Sequence, residues 1–87
     1  RYAQLCDVPG PIPERMEETI RQARGERGFP GEGQADLMGL LDVLADDLPL
    51  SIEVPTEHLR CQGISALDRA LRARQTTLQL LQRASKI

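Results

Sequence analysis

With 87 residues the chain holds one small domain at most, and its 11 basic and 13 acidic side chains, well mixed and summing to a net charge of −2, supply no basic patch for nucleic acid. No apolar run approaches the roughly 20 residues of a membrane helix, and no segment has the charged-then-apolar form of a signal peptide, so no membrane partner is expected. Cys6 and Cys61 stand far apart and match neither a CxxC nor a zinc spacing, which favours a reducing cytoplasmic setting over a disulfide scaffold.

The chain opens at Arg1 and runs directly into an apolar strand without an initiator Met, which reads as a piece of a longer protein. Residues 2–8, "YAQLCDV", predict a short strand, stopped by the prolines of "PGPIP". A helix is predicted over 13–24, with Pro13 in its first turn, where a missing N–H costs nothing. Glu14, Glu17 and Glu18 near its start and Arg21 and Arg24 near its end complement the helix dipole. Met16, Ile20 and Ala23 form its apolar stripe, and Gly25 is a natural cap. Residues 25–34, containing "GERGFPGEG", predict a loop. A helix over 35–46 follows from the spacing of Leu37, Leu40, Leu41, Leu44 and Leu48, and Pro49 stops it.

The stretch "LPLSIEVP" predicts a strand over 50–54, closed by Pro55. "TEHLRCQG" reads as a polar loop. The last helix is predicted over 65–84, opened by Ser65 and Asp68 at capping-box spacing, with Ile64, Leu67, Leu71, Leu78 and Leu81 on one side. The order is strand, helix, helix, strand, helix, which points to an α/β fold with parallel strands and right-handed crossovers. Two strands alone leave both outer edges unpaired, so further strands are expected, on a missing part of the chain or on another chain.

The second strand carries a carboxylate, Glu53, between Ile52 and Val54. Burying an ionised carboxylate costs several kcal/mol, on the order of the net stability of a small domain. Solvent, a cationic partner, a proton or a metal ion must then compensate. Side chains alternate along a strand. If Leu5, Ile52 and Val54 face the helices, Gln4 and Glu53 converge on the other side. A carboxamide oxygen and a carboxylate suit a hard divalent cation. Against that stands a solvated Glu53, or one paired with arginine.

Arg24 and Arg27, beside the glycine-rich turn, could clasp a carboxylate or phosphate, unless the loop is merely solvated. "PGEG" matches no phosphate-loop or dinucleotide fingerprint. His58 follows the second strand and is a candidate proton carrier, though a lone His in a polar loop is more often just exposed. Cys6 reads as a small core residue. Asp7 lines the mouth of a site or caps a turn with Gly10.

Taken together, "YAQLCDV", the arginine-bearing loop ending "PGEG", the amphipathic helix and "LPLSIEVP" resemble the C-terminal part of the xylose isomerase-like TIM barrels. That superfamily includes sugar-phosphate isomerases and epimerases, dehydroshikimate and inosose dehydratases, and the AP endonuclease family 2 fold. The resemblance spans nearly the whole chain and implies the last two strands, with their helices, of a (β/α)8 TIM barrel of about 250 residues. It implies one divalent metal (Mg, Mn, Co or Zn) in the barrel mouth. Glu53 matches the family's final Glu ligand. Gln4 stands three residues before Asp7, where many members have His in a pattern like "HLKD", and is similar to the Gln ligand of some dehydroshikimate dehydratases. The other two ligands then lie on earlier strands, in the remainder of the barrel, and this 87-residue stretch alone is expected to be inactive.

The implied activity is isomerisation or epimerisation of a small, sugar-like hydroxy-carbonyl compound through an enediolate stabilised by the metal. Glu53 then moves the proton, and Arg27, with Arg24 second, holds an anionic group. The alternatives are a dehydratase (lyase) on the same site and a non-catalytic structural segment. A homo-oligomer is compatible with all three. An endonuclease role needs several further His ligands, and the chain has only His58.

Overall fold

The computed structural model describes residues Arg1–Ile87. Strand β1 (Ala3–Leu5) pairs in parallel with strand β2 (Leu50–Ile52), placing Ala3 opposite Leu50, Gln4 opposite Ser51 and Leu5 opposite Ile52. Helices α1 (Met16–Gly25) and α2 (Leu37–Val43) lie between the strands in sequence, and α3 (Glu57–Cys61) and α4 (Ala66–Arg83) follow β2. The ladder runs slightly past the strands: Ala3 N–H donates to the Pro49 carbonyl at 3.0 Å, and Glu53 N–H donates to Leu5 at 3.2 Å.

The strands are shorter than the sequence suggests because a third segment takes over their ends. Asp7 and Gly28 exchange two backbone hydrogen bonds, each 2.8 Å, as an antiparallel bridge. Glu26 forms a second such bridge with Thr56, and Arg27 N–H donates to the Pro55 carbonyl at 2.8 Å. Residues 26–28 therefore lie across the C-terminal ends of both strands and fasten one to the other. Their backbone polar groups find partners there without a further strand.

The expectation that the chain forms the last two strands of a TIM barrel is overturned. The structure is one two-stranded parallel sheet with four helices. Its helices are not arranged as barrel crossovers. A crossover helix buries its apolar stripe on the sheet, yet α1 buries no residue, and Met16 and Ile20 are 70% and 44% exposed. The core lies instead between α2 and α4, where Leu37 and Leu41 meet Leu80, flanked by Ala35, Leu44, Leu50, Leu81 and Ala84. Leu5 and Phe29 are also buried.

Local chemistry sets the helix ends. Asp36 caps α2 by accepting from Gly39 N–H at 2.9 Å, and Ser65 caps α4 by accepting from Asp68 N–H at 3.1 Å. α1 starts only at Met16, because Arg15 is extended (φ −111°, ψ 138°), so Pro13 lies outside the first turn. Gly25 is the last helical residue of α1, and the cap falls on Glu26. The stretch expected to be a polar loop contains α3, which ends before Gly63 at φ +84°. In α4 the buried residues are Thr76, Thr77 and Leu80, while Leu67 and Leu71 are exposed. The two threonines satisfy their hydroxyls on the Ala73 carbonyl, at 3.2 and 2.7 Å. Small residues face the sheet: Ala66, Ala70 and Ala73 line a cleft of about 230 Å³ with Phe29, Ile52 and Val54.

Candidate functional site

Strand alternation and the observed register determine which side chains meet. Ile52 and Val54 turn toward α4, and Leu5 is fully buried. Gln4 and Glu53 share the opposite face, where Gln4 Nε2 donates to Glu53 Oε2 at 2.9 Å. They border an open cleft of about 320 Å³, lined also by Leu5, Cys6, Ala23, Arg27 and Pro55. Arg27, a half-buried residue, is fixed there through its backbone bond to Pro55, whereas its guanidinium makes no ion pair or hydrogen bond within the chain. Three of the residues singled out in the sequence, Gln4, Glu53 and Arg27, are thus brought together. Arg24 is not. One residue before the end of α1, it lies in a different cleft with Glu17, Ile20, Arg21, Gly25 and Glu57.

The premise that Glu53 is buried does not hold: Glu53 and Gln4 are both exposed. The carboxylate keeps its solvent, and the Gln4 amide supplies one donor, so no desolvation cost calls for a cation. A cation could still bind. The Glu53 carboxylate and, after the amide turns, the Gln4 carbonyl oxygen are two hard donors on neighbouring strands, and magnesium-type sites complete such a pair with water and substrate oxygens. Nowhere do three His, Cys, Asp or Glu side chains come together as a ready-made ligand set.

Asp7 is not at the cleft. It is 1% exposed, and its carboxylate organises the glycine-rich loop. Oδ1 accepts from Val8 N–H at 2.8 Å and Ala35 N–H at 2.9 Å, and Oδ2 accepts from Gly31 and Gly33 N–H at 3.0 Å each. The lead into α2 is held in this way. Gly33 is required by the close approach, since a Cβ there would lie 2.6 Å from Asp7 Cγ and against the Val8 carbonyl.

His58, on α3, pairs through Nδ1 with Glu26 Oε2 at 2.7 Å. It lines a second cleft with Arg27, Phe29, Glu32 and Arg72. The ionisable groups displaced from their ordinary values lie away from both clefts. The Arg21 guanidinium holds the Glu18 carboxyl below the usual glutamate range, and Arg60 does the same to Glu57; each arginine is raised in turn by its glutamate.

Cys6, expected in the core, borders the Gln4–Glu53 cleft, and alternation puts it on the same face as Gln4. The Arg72–Glu32 pair had no local signal, because its partners are 40 residues apart. No helix is long and apolar enough to cross a membrane. No family model, no curated protein and no solved structure matches the chain, so the resemblance to the xylose isomerase-like enzymes rests on the sequence motifs alone.

Proposed function

We propose that the Gln4–Glu53–Arg27 cleft binds a divalent cation together with a small anionic polyhydroxylated carbonyl compound, and that it serves isomerase- or epimerase-like proton transfer. The observation that carries this reading is the 2.9 Å contact between Gln4 and Glu53 across the strands, in a cleft that also holds an unpaired guanidinium. Bound there, a cation supplies Lewis-acid polarisation of a carbonyl oxygen. Glu53, exposed and carrying a single hydrogen bond, is the group able to take and return a proton beside that carbonyl. Arg27, with all its donors free, holds the substrate's anionic end and fixes which carbon faces Glu53. Gln4 orients the carboxylate.

The experiment is a Mn²⁺ titration of the chain, read as paramagnetic broadening of the NMR signals around Gln4 and Glu53. A panel of ketoses and hydroxy-carbonyl acids in deuterated buffer then reports exchange at the carbon beside the carbonyl. Selective broadening that Glu53→Gln removes is the expected result, and any exchange the chain supports should be lost in the same variant. Broadening centred elsewhere overturns the cation site. Exchange undiminished in Glu53→Gln overturns its catalytic role and leaves the non-catalytic reading, which the solvent exposure of Glu53 favours. A product absorbing in the ultraviolet as a conjugated enone identifies the dehydratase alternative, for which the carboxamide at position 4 speaks.

A further inference from the structure

The second cleft, of about 230 Å³, shares Arg27 with the first and is bordered by Pro9, Gly28, Phe29, Glu32, Thr56, His58, Leu59 and Arg72. Its lining carries Arg27, Arg72 and His58 against Glu32, with the Glu26 carboxylate on the far nitrogen of His58. The guanidinium of Arg72 lies over the Phe29 ring, 4.9 Å from the centroid. Stacking fixes the plane of a guanidinium and leaves its edge to oxyanions. Glu32 takes only Nη2 of that edge, at 3.1 Å, and Nε and Nη1 remain unbonded. Arg27 is a half-buried residue whose guanidinium has no acidic partner. On His58, Glu26 accepts from Nδ1 and leaves Nε2 without a partner, and Nε2 donates to an oxyanion when the ring carries both protons.

A guanidinium on a half-buried residue, with none of its five donors paired, has a deficit that an oxyanion fills, bidentately and with charge-assisted bonds. A carboxylate is planar and satisfies one guanidinium fork. Two guanidiniums and an imidazole on separate walls suit a tetrahedral group with an oxygen for each. We propose that this cleft receives the phosphate of a phosphate monoester, gripped by Arg27, Arg72 and His58. The assignment relies on the Gln4–Glu53 reading only for direction. Because Arg27 borders both clefts, a phosphate seated beside it lets the carbon chain of the ester run past Arg27 to Glu53.

The test uses the full chain labelled with ¹⁵N and titrated with inorganic phosphate, then separately with acetate. The Nε–H signals of Arg27 and Arg72 and the imidazole of His58 are followed, with Arg15, which lines neither cleft, as a control. Saturable shifts confined to the first three, weakened at least ~10-fold in Arg27→Gln and in Arg72→Gln, are expected; a tenfold change is about 1.4 kcal/mol of binding energy. Circular dichroism verifies that both variants stay folded, since neither side chain contributes to the buried core. Acetate should bind at least ~10-fold more weakly, having one fork to fill. Shifts that do not saturate, or that spread evenly over all arginines, overturn the pocket. Acetate binding as tightly as phosphate overturns the phosphate assignment. Mn²⁺ broadening at Glu53 is measured separately on the unsubstituted chain without phosphate. Its absence with phosphate still saturating in the parent chain overturns the cation reading alone and upholds the phosphate pocket.

Discussion

Asp7 offers the most direct test of what holds this fold together. Its carboxylate takes four backbone N–H groups, and those of Gly31, Gly33 and Ala35 have no other acceptor. Asp7→Ala orphans them beside a space left by the lost carboxylate. A fully buried orphaned donor costs about 1–3 kcal/mol, but these three are only part-buried and water entering the gap recovers part of the sum, so about 3 kcal/mol is expected. Small domains hold about 5–15 kcal/mol in total. The isosteric Asp7→Asn keeps one acceptor oxygen and turns an NH₂ toward two of the donors, so a loss of about 2–3 kcal/mol is expected. Urea unfolding followed by far-ultraviolet circular dichroism suits a chain without Trp. With a slope near 1 kcal/mol/M, Asp7→Ala should lower the midpoint by about 3 M or leave the chain unfolded. Hydrogen exchange at Gly31, Gly33 and Ala35 should accelerate in Asp7→Asn before that of α4. A midpoint for Asp7→Ala within about 0.5 M of the parent would refute the claim that this carboxylate anchors the loop.

Gly33→Ala should destabilise by about 2 kcal/mol or more on the urea scale, because its Cβ collides with the Val8 carbonyl and the Asp7 carboxylate rather than with a movable side-chain tip. Ser65→Ala removes the cap of α4 and should cost about 1 kcal/mol, with Ser65→Asp close to neutral in the same denaturation assay. The pH dependence follows from the two lowered glutamates. A carboxyl depressed in the folded state adds stability that is present above its unfolded value and is lost as pH falls through its folded value. Carboxyl ¹³C titrations should therefore give midpoints for Glu18 and Glu57 that rise in Arg21→Gln and Arg60→Gln respectively; unchanged midpoints would remove the assigned cause.

How far the sequence reached depends on the range of the forces involved. The Ser65 cap and the long helix behind it are local chemistry, and they stand where the spacing puts them. Alternation in "LSIEV" and "YAQLC" limited Gln4 and Glu53 to the same or to opposite faces, and the observed register, with Leu5 opposite Ile52, put them on the same one. The single polar residues were harder to place. Asp7 gave no sign that four amides from a distant loop would close on it, and Arg72 none that it would stack on Phe29. The barrel expectation failed for the same reason. A strand–helix rhythm is compatible with several layer arrangements, and only the tertiary contacts decide which helix face is buried.

The amino-acid sequence by itself determined the capped start and the extent of α4, the alternating polar and apolar positions of the two strands, and the absence of a long apolar span. Those are consequences of neighbouring residues, proline and glycine geometry, and simple periodicity. The tertiary structure alone decided that α1 keeps its stripe in solvent, that residues 26–28 close the strand ends, and that Glu53 keeps its water. Each depends on contacts between segments far apart in the chain, whose free energy no local pattern encodes.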